Sequence, residues 1–393
     1  MAKKLRKLLF RILILLFILG NISACLHGCS ATRYKAGATP GPPFTELNGL
    51  DKWKAVFLGR RIARPENSRN PAEVNSKLNP RAEMINQSGG NIAYWVVDAP
   101  NPKGIVIALP DYGQSSDDML EAAGIFNALG YSVAAINFRG TGKSEGKTTT
   151  LGKRESIDVE VIYKRISQKN PGVPILLYGG PMGAGAAMKS QYFGRITPAA
   201  CIYEAPYGDL TKFSQARIAD AGMPKFLSLP ILIWGGAVNQ MNPFNFSPER
   251  FASGVECPVL FLRGENDTRV TEDDLAVFAE QVPDELGSQK SIAGADHSQI
   301  LSRANPDEWA KEVRSFLATL DRQGARNMPS RSPTVTQDEL PASPAYPGAV
   351  PSRPNSGVGA VDSVDAIEET IRTPSRPAVT PATGKAGEWK DLR

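Results

Sequence analysis

Few side chains in this sequence could do chemistry, and their spacing narrows what that chemistry could be. Two histidines, His27 and His297, occur in 393 residues. That is too few for a zinc site of the usual kind, and neither a metal nor another cofactor is expected. Asp267 precedes His297 by thirty residues, room for one helix and one strand. Both side chains can then lie at the carboxyl edge of adjacent parallel strands, where a carboxylate orients an imidazole that works as a general base. A buried histidine merely paired with a carboxylate is the other reading of the same two residues. A base also needs an oxygen to deprotonate. The glycine-rich run Tyr178-Gly179-Gly180-Pro181-Met182-Gly183-Ala184 has proline at its centre and offers none.

Placing such groups together takes a sheet. Asn91 to Val97 alternates like a strand, and apolar runs follow at 104–109, 132–138, 175–178, 199–203 and 258–263. Helix-length segments separate them: Ser116 to Leu129, Glu155 to Gln168, Asp273 to Val282, and Glu308 to Leu320. This βα rhythm predicts an α/β fold with a doubly wound, mostly parallel sheet over residues 84–320. About 207–256 there is too much chain for a simple connection, and it carries Phe226, Leu229, Ile233, Trp234 and Phe244. A lid over a binding cleft is expected there, with Phe226 and Trp234 against the substrate; extra core packing is the plainer alternative. Cys201 and Cys257 each begin a predicted strand, either as small buried hydrophobes or, in an oxidising compartment, as a disulfide.

The two ends read differently from the middle. Lys3, Lys4, Arg6, Lys7 and Arg11 precede residue 25 without a single acid, and removing them from the 45 basic residues leaves 40 against 40 acidic. The remainder is formally neutral, which argues against nucleic acid as a partner. Residues 1–24 have the layout of an export signal, and Ile22-Ser23-Ala24-Cys25 resembles the bacterial lipobox. That resemblance implies lipidation of Cys25 and anchoring in the cell envelope; Leu26 in the next position favours the outer membrane, facing the periplasm. An uncleaved anchor helix or an ordinary secretory leader are the alternatives. Residues 25–83 read as a tether and irregular extension. Ten of the 31 prolines fall in 322–393, so 321–393 is expected to be a disordered, Pro-rich tail. Val364, Ile367 and Ile371 keep helical spacing within it, as a short helix for a protein partner or by chance.

Four stretches carry a resemblance to a known family. Phe138-Arg139-Gly140-Thr141-Gly142-Lys143-Ser144-Glu145-Gly146 has the glycines of a tight turn after a strand. Tyr178 to Ala184 occupies a strand-to-helix elbow, Gly264-Glu265-Asn266-Asp267 follows the next-to-last predicted strand, and Asp296-His297-Ser298 follows the last. In this order on a βα background they resemble the α/β-hydrolase superfamily, of the serine aminopeptidase and monoglyceride lipase type. The resemblance implies that Asp267 and His297 are the acid and base of a catalytic triad. It also implies that position 181 is the nucleophile's, and Pro181 has no hydroxyl. The oxyanion donors would be the N–H groups of Tyr112 and Met182. Asp111 would set a negative charge beside them unless its side chain turns away; a turn or cap role is the bland reading.

The leading expectation is therefore an envelope lipoprotein whose hydrolase-like domain is a pseudo-hydrolase, kept for binding a small acyl or peptide ligand or a partner. One alternative is an active esterase, lipase or peptidase acting on an acyl ester or amide through a nucleophile outside the usual pattern. The other is a structural spacer presenting the C-terminal tail.

Overall fold

The computed structural model describes residues 34–37, 46–51, 62–74, 78–87, 89–220, 222, 224–238, 242–283, 285–297 and 300–324. The expected export signal, Cys25 and the chain beyond Gly324, with its helix-spaced Val364, Ile367 and Ile371, lie outside them. A short parallel pair, β1 (Tyr34–Lys35) with β2 (Ile62–Ala63), precedes the main sheet. That sheet contains β3 (Arg81–Ile85), β4 (Ile92–Val97), β5 (Ile105–Leu109), β6 (Ser132–Ile136), β7 (Ile175–Gly179), β8 (Ala200–Glu204), β9 (Val259–Gly264) and β10 (Gly287–Ile292). Its order is β10-β9-β8-β7-β5-β6-β4-β3. The β3–β4 and β4–β6 pairs are antiparallel, and every other pair is parallel.

The helices are α1 (Leu120–Ala128), α2 (Glu155–Lys169), α3 (Pro181–Tyr192), α4 (Leu210–Asp220), α5 (Ser228–Val238), α6 (Glu272–Gln281) and α7 (Pro306–Gly324), joined by shorter turns. Helix starts follow local chemistry. Thr271 and Asp274 cap α6 reciprocally, and Ser115 with Asp118 does the same for a 3₁₀ turn, Ser116–Met119, that leads into α1. These bonds satisfy amides that have no acceptor within their helix. The single helix expected from Ser116 is thus a 3₁₀ turn followed by an α-helix.

Alternation along the strands divides the core in two. Ile105, Ile107 and Leu109 join Leu177, Val159, Ile162 and Ala184 on the face covered by α2 and α3. Val106 and Ala108 join Phe126, Tyr178, Trp309 and Val313 on the face covered by α1 and α7. Phe126, Tyr178 and Trp309 pack edge to face with centroids 5.5 Å apart, a geometry that favours aromatic rings. Strand order reverses between β5 and β7, and at such a point the carboxyl ends of parallel strands open a crevice.

The long connection from β8 to β9 carries α4 and α5 and forms the lid insertion. Phe246 and Phe251 anchor it in the core, whereas Phe226, Leu229, Ile233 and Phe244 are exposed. No described helix is long and apolar enough to cross a membrane.

Candidate active site

Asp267 stands three residues beyond β9 and His297 five beyond β10, so neighbouring parallel strands deliver them to one edge. His297 Nδ1 is 2.8 Å from Asp267 Oδ2. The other carboxylate oxygen accepts from the amides of Arg269 at 2.8 Å and Val270 at 2.9 Å. Burial alone would raise the Asp267 pKa, but the hydrogen bond to His297 and those from Val270 and Arg269 outweigh it and hold the group below its ordinary value. An ionised carboxylate on Nδ1 leaves Nε2 as the imidazole's working nitrogen, the arrangement a general base requires.

Across from this pair is the turn from β7 into α3. Gly180 is extended, with φ −67° and ψ 178°, and Pro181 is the first residue of the helix, where its missing N–H costs little. A side chain on Gly183 would put its Cβ 2.4 Å from the Leu109 carbonyl oxygen, so glycine there is what allows α3 to lie against β5. Asp111 does not turn away. Its Oδ1 accepts the Met182 N–H at 2.8 Å. Asp111, Pro181, Glu204, Asp267 and His297 line one cavity of about 60 Å³ together with Gln114 and Met119.

Glu204, at the end of β8, was not anticipated. Its Oε1 accepts from Tyr178 Oη at 2.9 Å and Trp309 Nε1 at 2.6 Å. Burial pushes its pKa up to about 7, against the lowering effect of those hydrogen bonds. Next to it Ala205 has φ +41°, left-handed backbone that an alanine adopts only under strain.

A strand-borne acid and histidine, a helix N-terminus facing them, and the eight-stranded order above decide the architecture. The fold is that of the α/β-hydrolases. Residues 100–229 match the serine aminopeptidase family, S33. The chain is 28% identical over 162 residues to the lysophosphatidylserine lipase ABHD12 of Danio rerio, covering 40% of this chain and 41% of that protein. It is 26% identical over 196 residues to an uncharacterized protein of Rickettsia prowazekii, covering 49% and 66%. The matched regions thus span less than two thirds of either relative. An esterase of Pyrococcus furiosus superposes with a TM-score of 0.54 at 20% identity, over 66% of this chain and 98% of the esterase. The α/β-hydrolase GrgF from Penicillium gives 0.50 at 16% identity, over 63% and 100%.

These findings correct the pseudo-hydrolase expectation, which treated Pro181 as the mark of a site without a serine. A serine is held at the same sheet edge, in the strand-to-helix turn after β5, the strand that neighbours β7. Ser116 is fully buried. Its Oγ accepts from Asn67 Nδ2 at 2.8 Å, and its N–H donates to Asn137 Oδ1 at 2.9 Å. Position 181 itself remains proline, so this hydroxyl comes from a different turn than the one the resemblance pointed to. Ser116 does not line the cavity, whereas Met119, three residues on, does. The expectation failed because it required a serine within a Gly-x-Ser-x-Gly elbow, and Ser116 reads simply as the start of a helix.

The other expected site residues are placed as follows. Tyr112 is half-buried, its ring centroid 6.4 Å from that of Tyr34. Met182 is buried, with its N–H on Asp111. Phe226 is 73% exposed and is not among the residues lining the cavity. Trp234 lies within α5, but its side chain is outside the described residues. Cys201 and Cys257 are buried free thiols with sulfurs 3.6 Å apart. Among the described residues no cluster could hold a metal ion.

Proposed function

We propose that this chain is a serine-hydrolase-like enzyme that cleaves an acyl ester or amide, with a reacting oxygen supplied from outside position 181. The observation that carries this reading is the Asp267–His297 pair at 2.8 Å, facing the N-terminus of α3 across a cavity. Ser116 is the hydroxyl candidate at this edge. In the step it would perform once its buried hydroxyl is brought into the cavity, the Ser116 oxygen attacks the acyl carbon, its proton passes to His297 Nε2, and the same proton leaves on the departing alcohol or amine; water then reverses the sequence. The Danio rerio relative is named a lysophosphatidylserine lipase, so lysophospholipids belong with simple acyl esters among the substrates to assay. Lipidation of Cys25 would hold the domain at an envelope membrane, and fatty-acid labelling lost in Cys25→Ala would support that anchor.

The decisive experiment is hydrolysis of p-nitrophenyl acyl esters by the wild type, His297→Ala and Ser116→Ala. Loss of the base should lower kcat by about 10³-fold or more, and loss of the nucleophile by a similar factor. Loss in His297→Ala with full activity in Ser116→Ala would assign the attacking oxygen to water in the cavity. Equal rates in the wild type and His297→Ala would end the hydrolase reading.

A further inference from the structure

We propose that Asp111 occupies the seat of the substrate oxyanion and that turnover requires this carboxylate to vacate it. The inference rests on the hydrolase reading above and deepens it. Helix α3 has 12 residues, and its first amides have no acceptor within the helix. One of them, Met182 N–H, is the donor that the hydrolase resemblance assigns to a developing oxyanion, beside the cavity that Asp111, Pro181, Asp267 and His297 line. In this chain that hydrogen is already taken, by Asp111 Oδ1 at 2.8 Å.

The Asp111 backbone that carries this carboxylate is held in place by its own loop. Asp111 N–H donates to Gln114 Oε1 at 3.0 Å, and Gln114 N–H returns a bond to the Asp111 carbonyl at 3.1 Å. Gly180 leaves room for the contact, since a Cβ on it would stand 3.2 Å from Asp111 Cβ. One amide hydrogen cannot serve two anions at full strength, and a carboxylate beside a tetrahedral oxyanion repels it. Asp111 is therefore an autoinhibitory contact. Rotation of its side chain out of the seat, as the substrate carbonyl enters, is a step on the way to acyl transfer.

The test uses the full chain with Asp111→Asn and Asp111→Gly, and two readouts: the Kd of butylphosphonate, and kcat on a short acyl ester. Asp111→Asn keeps an oxygen for Met182 N–H but drops the charge, and it preserves shape if the glycine variant fails to fold. Butylphosphonate should bind about tenfold tighter to Asp111→Gly than to the wild type, with a smaller gain in Asp111→Asn. Ester turnover should rise in the same order, in kcat more than in KM. A loss of turnover in both variants, with melting temperature and phosphonate affinity unchanged, would overturn the proposal and make Asp111 part of the chemistry. Tighter phosphonate binding with no ester hydrolysis by any form would leave Asp111 in the anion seat while removing the hydrolase reading.

Discussion

Glu204 carries the clearest pH signature of any single residue. In the unfolded chain it titrates as an ordinary glutamate, whereas in the fold burial raises it to about 7. Below the unfolded value both states are protonated, and the folded state keeps its full advantage. As pH rises, the unfolded chain releases the proton first, so stability falls until the folded group also ionises. The shift from 4.5 to about 7 corresponds to roughly 3 kcal/mol lost across that window. Urea unfolding between pH 4.5 and 8 should show the decline, and Glu204→Gln should flatten it. A slope unchanged in Glu204→Gln would show that another group sets the pH dependence. At this scale the sequence was partly legible. Asp267 and His297 could be named from the family resemblance and their spacing, because Asp267 follows the plain apolar run of β9 and the thirty residues to His297 leave room for one helix and one strand. Glu204 and the Asp111–Met182 bond could not, since they depend on which strands become neighbours: Asp111 and Met182 are separated by 71 residues.

Among the elements, the central parallel strands were legible because both of their faces are buried, and such strands read as continuous apolar runs. The outermost strands were not. β10 (Gly-Ser-Gln-Lys-Ser-Ile) and β3 (Arg-Ala-Glu-Met-Ile) sit at the two edges of the sheet, are partly exposed and carry charge. Charge blunts an edge against unwanted pairing, and it also hides the strand from a hydrophobicity reading. The lid was legible as surplus chain, but its two roles separate only in the fold. Phe246, Phe251 and Leu232 are buried and do the packing, while Phe226, Leu229 and Ile233 stay exposed at 73%, 50% and 55%. Replacing these three with serine should change stability by no more than about 0.5 kcal/mol each, because little apolar area leaves the core. If the exposed stripe receives acyl chains, the same variant should raise KM several-fold for decanoyl esters and leave acetyl esters unaffected. Equal effects on both chain lengths would remove the lid from substrate selection.

For the molecule as a whole, the segment before the main sheet is bound to the very loops that frame the site. Tyr34 is 4% exposed; its N–H donates to the Lys147 carbonyl at 2.7 Å, and its hydroxyl accepts from Gly113 N–H at 3.3 Å. Arg64 spreads its guanidinium over the turn after β6, donating to the carbonyls of Gly142 and Gly146 at 3.1 and 2.9 Å and to that of Ser144. That turn is the glycine-rich stretch 138–146, where Gly140, Gly142 and Gly146 all have positive φ and the carbonyls are turned toward one cation. Asn67 extends the same clasp to Ser116 Oγ and Asp117 Oδ1. None of this was visible in a proline- and glycine-containing extension with few apolar clusters, because the attachment is polar and long-range. Arg64→Ala leaves several partly buried carbonyls without their charged donor, so it should destabilise the protein by about 1–3 kcal/mol. Arg64→Lys should recover only part of the loss, since a single ammonium cannot span the carbonyls that the planar fork reaches. The local signature is proteolysis: trypsin should cut after Arg139 or Lys143 faster in Arg64→Ala than in the wild type, before global unfolding. Cleavage at wild-type rates, with an unchanged melting temperature, would show that the turn holds its shape without the clasp.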